Sequence, residues 1–193
     1  INLLCDNKDS WFWQTNKEFL RDINKLGHDI TICKSEKELV KADISAFISC
    51  TKIVSKEGLL KSKSNIVCHP SNLPKGRGFS PIAWDVLNNN TELTFSLFEA
   101  TESVDEGVIY EKIIVPLIGT ELNDDLRKIQ SRVTFEMILS YIKNFPENNS
   151  TPQEGTSTWN RRRRLEDSEL DINKSILEQI NLLRIVDNKH YPA

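Results

Sequence analysis

Apolar residues recur along this chain in two rhythms, and together they predict strands alternating with helices. Compact apolar runs at Ile1 to Cys5, Ile30 to Cys33, Ile44 to Cys50 and Asn65 to Cys68 read as buried strands. Between the first two, Trp13 to Leu26 sets Phe19, Leu20, Ile23 and Leu26 at helical spacing and stops at Gly27, a natural helix terminator. Shorter helical stretches fall at Ser35 to Val40 and Lys56 to Lys61. Pro81 to Leu87 predicts a helix that ends in the Asn88-Asn89-Asn90 turn. Glu92 to Glu99 alternates Leu93, Phe95 and Leu97 with Thr94, Ser96 and Phe98, the period of a strand. Val108 to Val115, rich in β-branched residues, predicts another. The longest helix spans Leu122 to Phe145, with Leu126, Ile129, Val133, Met137 and Tyr141 as a stripe suited to core packing. Asn148 to Ser157 reads as loop, and Ile172 to Val186 as a final amphipathic helix.

This alternation places the chain in the α/β class: a Rossmann-like, mostly parallel sheet with helices on both faces and a short C-terminal helical extension. The expected division is a core over 1–147 and a loop-and-helix extension over 148–193. No GxGxxG follows the first strand, so the dinucleotide fingerprint lends no support. With 193 residues, 38% of them hydrophobic, the chain can bury one substantial core. A formal charge of −3 gives no basic surface, so nucleic acid is not an expected partner. No apolar run is long enough to cross a bilayer and no signal-like start is present, so a cytoplasmic protein is expected. Cys5, Cys33, Cys50 and Cys68 form no CxxC pair and sit in or beside apolar stretches. They read as buried free thiols, and no metal site is expected.

Candidate chemistry concentrates in NIVCHPSNLPKGRGFSPIAW, residues 65–84. Here a strand ends at His69 and a Pro-containing turn leads through Lys75-Gly76-Arg77-Gly78 to a helix. Carboxyl ends of parallel strands face the ligand crevice of open α/β sheets, which puts His69 where chemistry occurs. Alone, a histidine there reads better as a surface or core-edge imidazole. HPSNLPKGRGFSPIAW resembles the HPSLLPxxRG motif of the folate-dependent formyltransferases. LFEATESVDEGVIYEKIIVPL is similar to that family's second motif, an Asp-x-Gly before a strand, with Asp105 and Gly107 in those positions. Gln153, Gly155, Arg161 to Arg164, Asp167, Asp171 and the closing LLRIVDNKHYPA resemble the segment after the core in the sugar and tRNA enzymes.

The resemblance, covering roughly Lys52 to Ala193, implies the formyltransferase fold and an enzyme that takes a formyl group from formyltetrahydrofolate and releases tetrahydrofolate. In this light His69 stabilises the oxyanion or relays the proton, while Asp105 keeps His69 in its working protonation state and orders a water. The family carries an Asn two residues before the histidine, and here that position is Val67, which cannot hydrogen-bond. Asn72 is the expected substitute donor and Asn65 the second choice, although both also read as turn or strand-end asparagines. Lys52, Ile53, Val54, Leu73, Thr101, Val104 and Asp105 are expected to hold the cofactor. Lys75, Arg77 and Arg163 are expected at the acceptor. The short core, its Arg-rich tail and the absence of a following basic domain fit an acceptor that is a nucleotide-linked amino sugar, as used in polysaccharide biosynthesis. The alternatives are a methionyl-tRNA formyltransferase-like enzyme, or a non-catalytic relative that binds folate or a nucleotide sugar. Ile176, Ile180 and Leu183 on the last helix would suit a homodimer contact. Trp11, Phe12 and Trp13 read as core packing, with stacking on a ligand as the second reading.

Overall fold

The computed structural model describes residues 1–187 and 192; the rest of the closing segment of the resemblance lies outside the described residues. Six strands form the central sheet: β1 (Asn2–Leu4), β2 (Thr31–Cys33), β3 (Ala42–Phe47), β4 (Ser62–His69), then β6 (Glu92–Glu99) and β7 (Ile109–Pro116). Their order across the sheet is β2-β1-β3-β4-β6-β7. β1 pairs in parallel with β2 and β3, and β3 with β4, whereas β6 is antiparallel to both β4 and β7. Five strands therefore run one way and β6 alone opposes them. A second, two-stranded parallel ladder joins β5 (Arg77–Gly78) to β8 (Trp159–Asn160).

The alternation read along each strand sorts residues between two unequal cores. Leu3, Ile44, Ala46, Ile66, Leu93, Phe95 and Leu97 point to the larger one, covered by α1 (Phe12–Thr15), α2 (Lys17–Lys25), α4 (Pro81–Leu87) and α5 (Asn123–Asn144). Leu4, Cys33, Leu39 and Phe47 point to a smaller core on the opposite face, closed by the 3-10 turn Glu36–Glu38 and the one-turn helix α3 (Lys56–Leu59). α5 buries Leu126, Val133, Met137 and Tyr141 of its predicted stripe. Asp124 and Asp125 in its first turn and Lys143 in its last oppose the helix dipole.

Two predicted helices differ from expectation. Trp13 to Leu26 is broken at Asn16, where the Thr15 hydroxyl donates back to the Trp11 carbonyl at 3.0 Å, a bond of the kind that bends helices. The stretch Ile172 to Val186 is helical only from the 3-10 turn Leu177–Gln179 through α6 (Ile180–Arg184). Upstream, Asp171 and Glu178 take the backbone N–H groups of Asn173 and Ser175, local bonds that compete with a helix. Ile176 is 72% exposed and Ile180 43% exposed, while Leu183 is half-buried. All four cysteines are free. Among the described residues no helix is long and apolar enough to cross a membrane.

Candidate active site

The loops after β1, β3 and β4 meet above the carboxyl edge of the parallel strands and enclose a cavity of about 1010 Å³. Its walls include Asn7 and Trp11 after β1, Ser49 to Val54 after β3, and His69 with Pro70 at the end of β4. The loop from Ala100 to Asp105 closes one side, and the segment after α5 contributes Trp159 to Arg163. Residues in left-handed backbone geometry concentrate here. Of the non-glycine residues with positive φ, Ser49 (53°), Ser80 (52°) and Asp105 (54°) all line the cavity. Backbone strain of this kind persists only where the surroundings hold it, and it gathers at ligand sites.

His69 and Asp105 lie 36 positions apart in sequence and meet on this cavity. His69 Nε2 stands 3.9 Å from Asp105 Oδ2, with side chains only 10% and 13% exposed. The same Nε2 is 2.9 Å from the Gly76 carbonyl oxygen. A carbonyl can only accept, so Nε2 carries a proton and, in the neutral ring, Nδ1 holds the lone pair. Asp105 Oδ2 accepts from the Gly78 N–H at 2.9 Å. Gln153 Nε2 donates to the carbonyls of Asp105 (2.8 Å) and Gly107 (2.9 Å), which pins the strained backbone of this turn from the segment after α5. Gly107 could be nothing else: a Cβ there would sit 1.6 Å from the Glu99 carbonyl oxygen. The Asp-x-Gly spacing thus follows from how tightly the turn lies against the end of β6.

The β3 loop is held by carboxylates of two neighbouring segments. The Asp6 carboxylate accepts from the backbone N–H groups of Thr51 (2.7 Å) and Lys52 (3.1 Å). Glu36 accepts from Ser55 N–H at 3.1 Å and also from the Ser55 hydroxyl. Cys50 and Cys68 both line the cavity, and burial pushes each thiol up to about 12. At neutral pH they stay protonated, so a cysteine nucleophile finds no support. Asp85 on α4 is pushed up by burial, against the Asn90 hydrogen bond and the charge of His69.

Of the residues singled out in the sequence, Lys52, Ile53, Val54, Thr101, Val104, Asp105, His69 and Arg163 line the cavity. Five others are placed elsewhere. Asn72 is exposed on the far side of the turn, its Oδ1 taken by Lys112 Nζ at 2.7 Å, so it is no donor to this cavity. Leu73 is fully buried with Phe98 and Ile109 beneath the wall. Lys75 is exposed and outside the cavity. Arg77 is 9% exposed and its guanidinium is committed to Glu106 (2.7 Å) and Gln153 (2.8 Å), which makes it a brace behind the Asp105 turn. Asn65, the second choice of donor, gives its Nδ2 to the Leu59 carbonyl at 3.0 Å. Within the arginine run, Arg161 forks onto Asp167, with Nη1 at 2.7 Å, and lowers that carboxyl below its usual range. Arg163 is buried and donates to Asp167 O and Ser168 Oγ, both at 3.0 Å. Sequence reading passed over Phe79 and Trp159 and named Arg162 only within the run Arg161 to Arg164; all three also face the cavity. Phe79 stood inside the quoted motif, whereas Trp159 is placed only by the β5–β8 ladder.

A covered α/β sheet whose strand ends open onto one cavity, with a histidine and a carboxylate facing each other inside it, is the architecture of a ligand-binding α/β crevice. The chain belongs to the formyl transferase family, whose profile matches residues 24–142. It is 28% identical over 150 residues to the methionyl-tRNA formyltransferase of Thermosipho africanus, covering 78% of this chain and 49% of that protein. The chain spans half or less of the curated relatives it matches. Methionyl-tRNA formyltransferase from Clostridium thermocellum superposes with a TM-score of 0.81 at 22% identity, covering 100% of this chain and 86% of that one. The N-formyltransferase from Helicobacter canadensis, solved in complex with folinic acid and dTDP-3-aminofucose, gives 0.77 at 16% identity, covering 100% and 82%. Both likenesses establish the fold.

Proposed function

We propose that this protein transfers a formyl group from formyltetrahydrofolate to the amine of a nucleotide-linked amino sugar. The observation that carries this reading is the His69–Asp105 pair at 3.9 Å, facing a cavity large enough for a donor and an acceptor together. The apolar wall of Phe47, Val54, Leu59, Val67 and Phe98 beside the pinned β3 loop suits a flat heteroaromatic ring with polar edges. Lys52, Ile53, Val54, Thr101 and Val104 are the residues assigned to it.

In the transfer the acceptor nitrogen bonds to the formyl carbon, the carbonyl oxygen takes on negative charge, and the bond from that carbon to the folate nitrogen then breaks. The amine loses a proton and the departing nitrogen gains one. His69 is built for that exchange. Its Nε2–H is fixed on Gly76 O, so Nδ1 is the ring position that can take up and return a proton. The cation formed stands beside the Asp105 carboxylate, which offsets its charge. Val67 offers no hydrogen bond, so the imidazolium is the proposed partner of the developing oxyanion. The free thiols suit a reducing compartment, and the proposed setting is cytoplasmic.

A second reading, transfer to methionyl-tRNA, rests on the names of the curated relatives. The deciding experiment offers the protein formyltetrahydrofolate with a panel of nucleotide-linked amino sugars and, separately, with methionyl-tRNA, and follows tetrahydrofolate release. Turnover with one sugar nucleotide supports the proposal, and turnover with tRNA alone replaces it. Folate binding without turnover on any acceptor identifies a non-catalytic relative.

A further inference from the structure

The mouth of the cavity is lined by an aromatic and guanidinium shelf that the catalytic pair does not use. Phe79 is 44% exposed and Trp159 57% exposed. Large aromatic side chains left open to water give up apolar burial, so their place on a cavity rim asks for an occupant. The Arg162 guanidinium lies over the Phe79 ring at 4.6 Å, and Arg77 over Trp159 at 5.8 Å. Arg77 is spent on Glu106 and Gln153, and Arg161 on Asp167. Arg162 differs: among the described residues no carboxylate pairs with it, and its ring contact uses the face of the guanidinium while leaving the N–H edge open. The shelf is also built in place. Arg77 pairs with Trp159 and Gly78 with Asn160 in the β5–β8 ladder, and the Gly78 N–H is the group that holds Asp105. A Cβ at Gly78 would stand 2.5 Å from the Asn160 carbonyl oxygen, so the two strands touch at their closest approach there.

An exposed aromatic face beside an unneutralised planar cation is the combination that takes a nucleobase by stacking and the adjoining phosphates by charge-assisted hydrogen bonds. We infer that Phe79, Trp159 and Arg162 form the seat of a nucleoside diphosphate, with the base against the aromatic rings and the phosphates on the Arg162 fork. This deepens the formyl-transfer reading and rests on it: the seat holds the carrier half of the acceptor while the amine reaches His69. It also reassigns the acceptor contact from Lys75 and Arg77, which lie off the cavity, to residues on its rim.

The test is calorimetric titration of the full chain with UDP, dTDP, CDP, GDP and ADP in the absence of folate, with folinic acid titrated separately. At least one diphosphate should bind and quench tryptophan fluorescence, and Trp159→Leu should abolish that quench. Arg162→Ala and Phe79→Ala should each weaken binding by about tenfold or more. Arg164→Ala, two positions along the same run but outside the cavity, should leave the affinity unchanged. Circular dichroism of each variant separates lost contacts from lost folding, and Arg162→Lys, which keeps the charge without the planar fork, should fall between wild type and the alanine variant. Binding of none of the five diphosphates overturns the inference, as does binding that Arg162→Ala and Phe79→Ala leave intact. An acceptor-end tRNA oligonucleotide that binds where the diphosphates do not also overturns it, in favour of RNA. Folinic acid binding is independent of these outcomes. Its loss, with diphosphate binding retained, would sink the formyl-donor reading and leave the nucleotide seat standing.

Discussion

Asp105 holds a left-handed backbone, accepts the Gly78 N–H and faces His69, so its charge and its shape can be separated by substitution. In Asp105→Asn the amide oxygen can still accept from Gly78, and Asn tolerates positive φ, but the negative charge opposite the imidazole is gone. The expected outcome is a fall in kcat of about 100-fold or more with the thermal midpoint nearly unchanged, read by steady-state transfer and calorimetry. Wild-type kcat in that variant would remove Asp105 from the chemistry. Asn72→Ala carries the opposite expectation. Its Oδ1 serves only Lys112 on the outer side of the turn, so activity should stay within about twofold of wild type, consistent with the small effects usual for surface substitutions. His69 and Asp105 were legible because the two motifs that carry them are local and ordered along the chain. The directions of Asn72, Leu73, Lys75 and Arg77 were not, because a tight turn can send neighbouring side chains to opposite sides. Only packing against β7 and the Asp105 loop decides which.

The main strands and α5 follow from periodicity, since each buries one face against a neighbour and the apolar spacing records it. β5 and β8 leave no such record. Each is two residues long and defined by a partner about 80 positions away. The antiparallel setting of β6 is equally silent, because alternation gives a strand's faces and not its direction. This unmarked part of the molecule is what steadies the candidate site. Gln153, from a stretch that composition assigns to loop, makes two hydrogen bonds to the Asp105 turn and receives one from Arg77. In Gln153→Ala both carbonyls lose their donor and the strained turn is free to relax. Small displacements of a reacting group carry large rate costs, so kcat should fall by roughly 10- to 100-fold while the acceptor KM changes little. A rise in KM at constant kcat would instead make Gln153 a binding residue.

The chain after α5 is joined to the rest by a buried ion pair, which ties global stability to pH. Glu121 and Arg184 have side chains 9% and 7% exposed, with Arg184 Nη2 3.0 Å from Glu121 Oε2. Burial alone would raise the Glu121 carboxyl. The N–H groups of Ile118 and Gly119 and the Arg184 guanidinium outweigh it, so the group lies below the ordinary carboxylate range. A carboxyl depressed in the folded state stabilises the fold above its unfolded pKa, and that contribution is lost as pH falls through the folded value. Glu121→Gln keeps the shape but leaves the Arg184 charge buried without a counter-ion. At pH 7 the variant should therefore be less stable by on the order of 3 kcal/mol in urea unfolding. As pH falls through the depressed value of the folded wild-type carboxyl, that group itself takes up a proton and the two proteins should converge. A gap that keeps the same size from pH 7 into the acid range would mean that the loss at 121 is steric. The anchoring of α6 would then rest on Ile185 in the main core and on the Asn181–Asn89 contact rather than on charge.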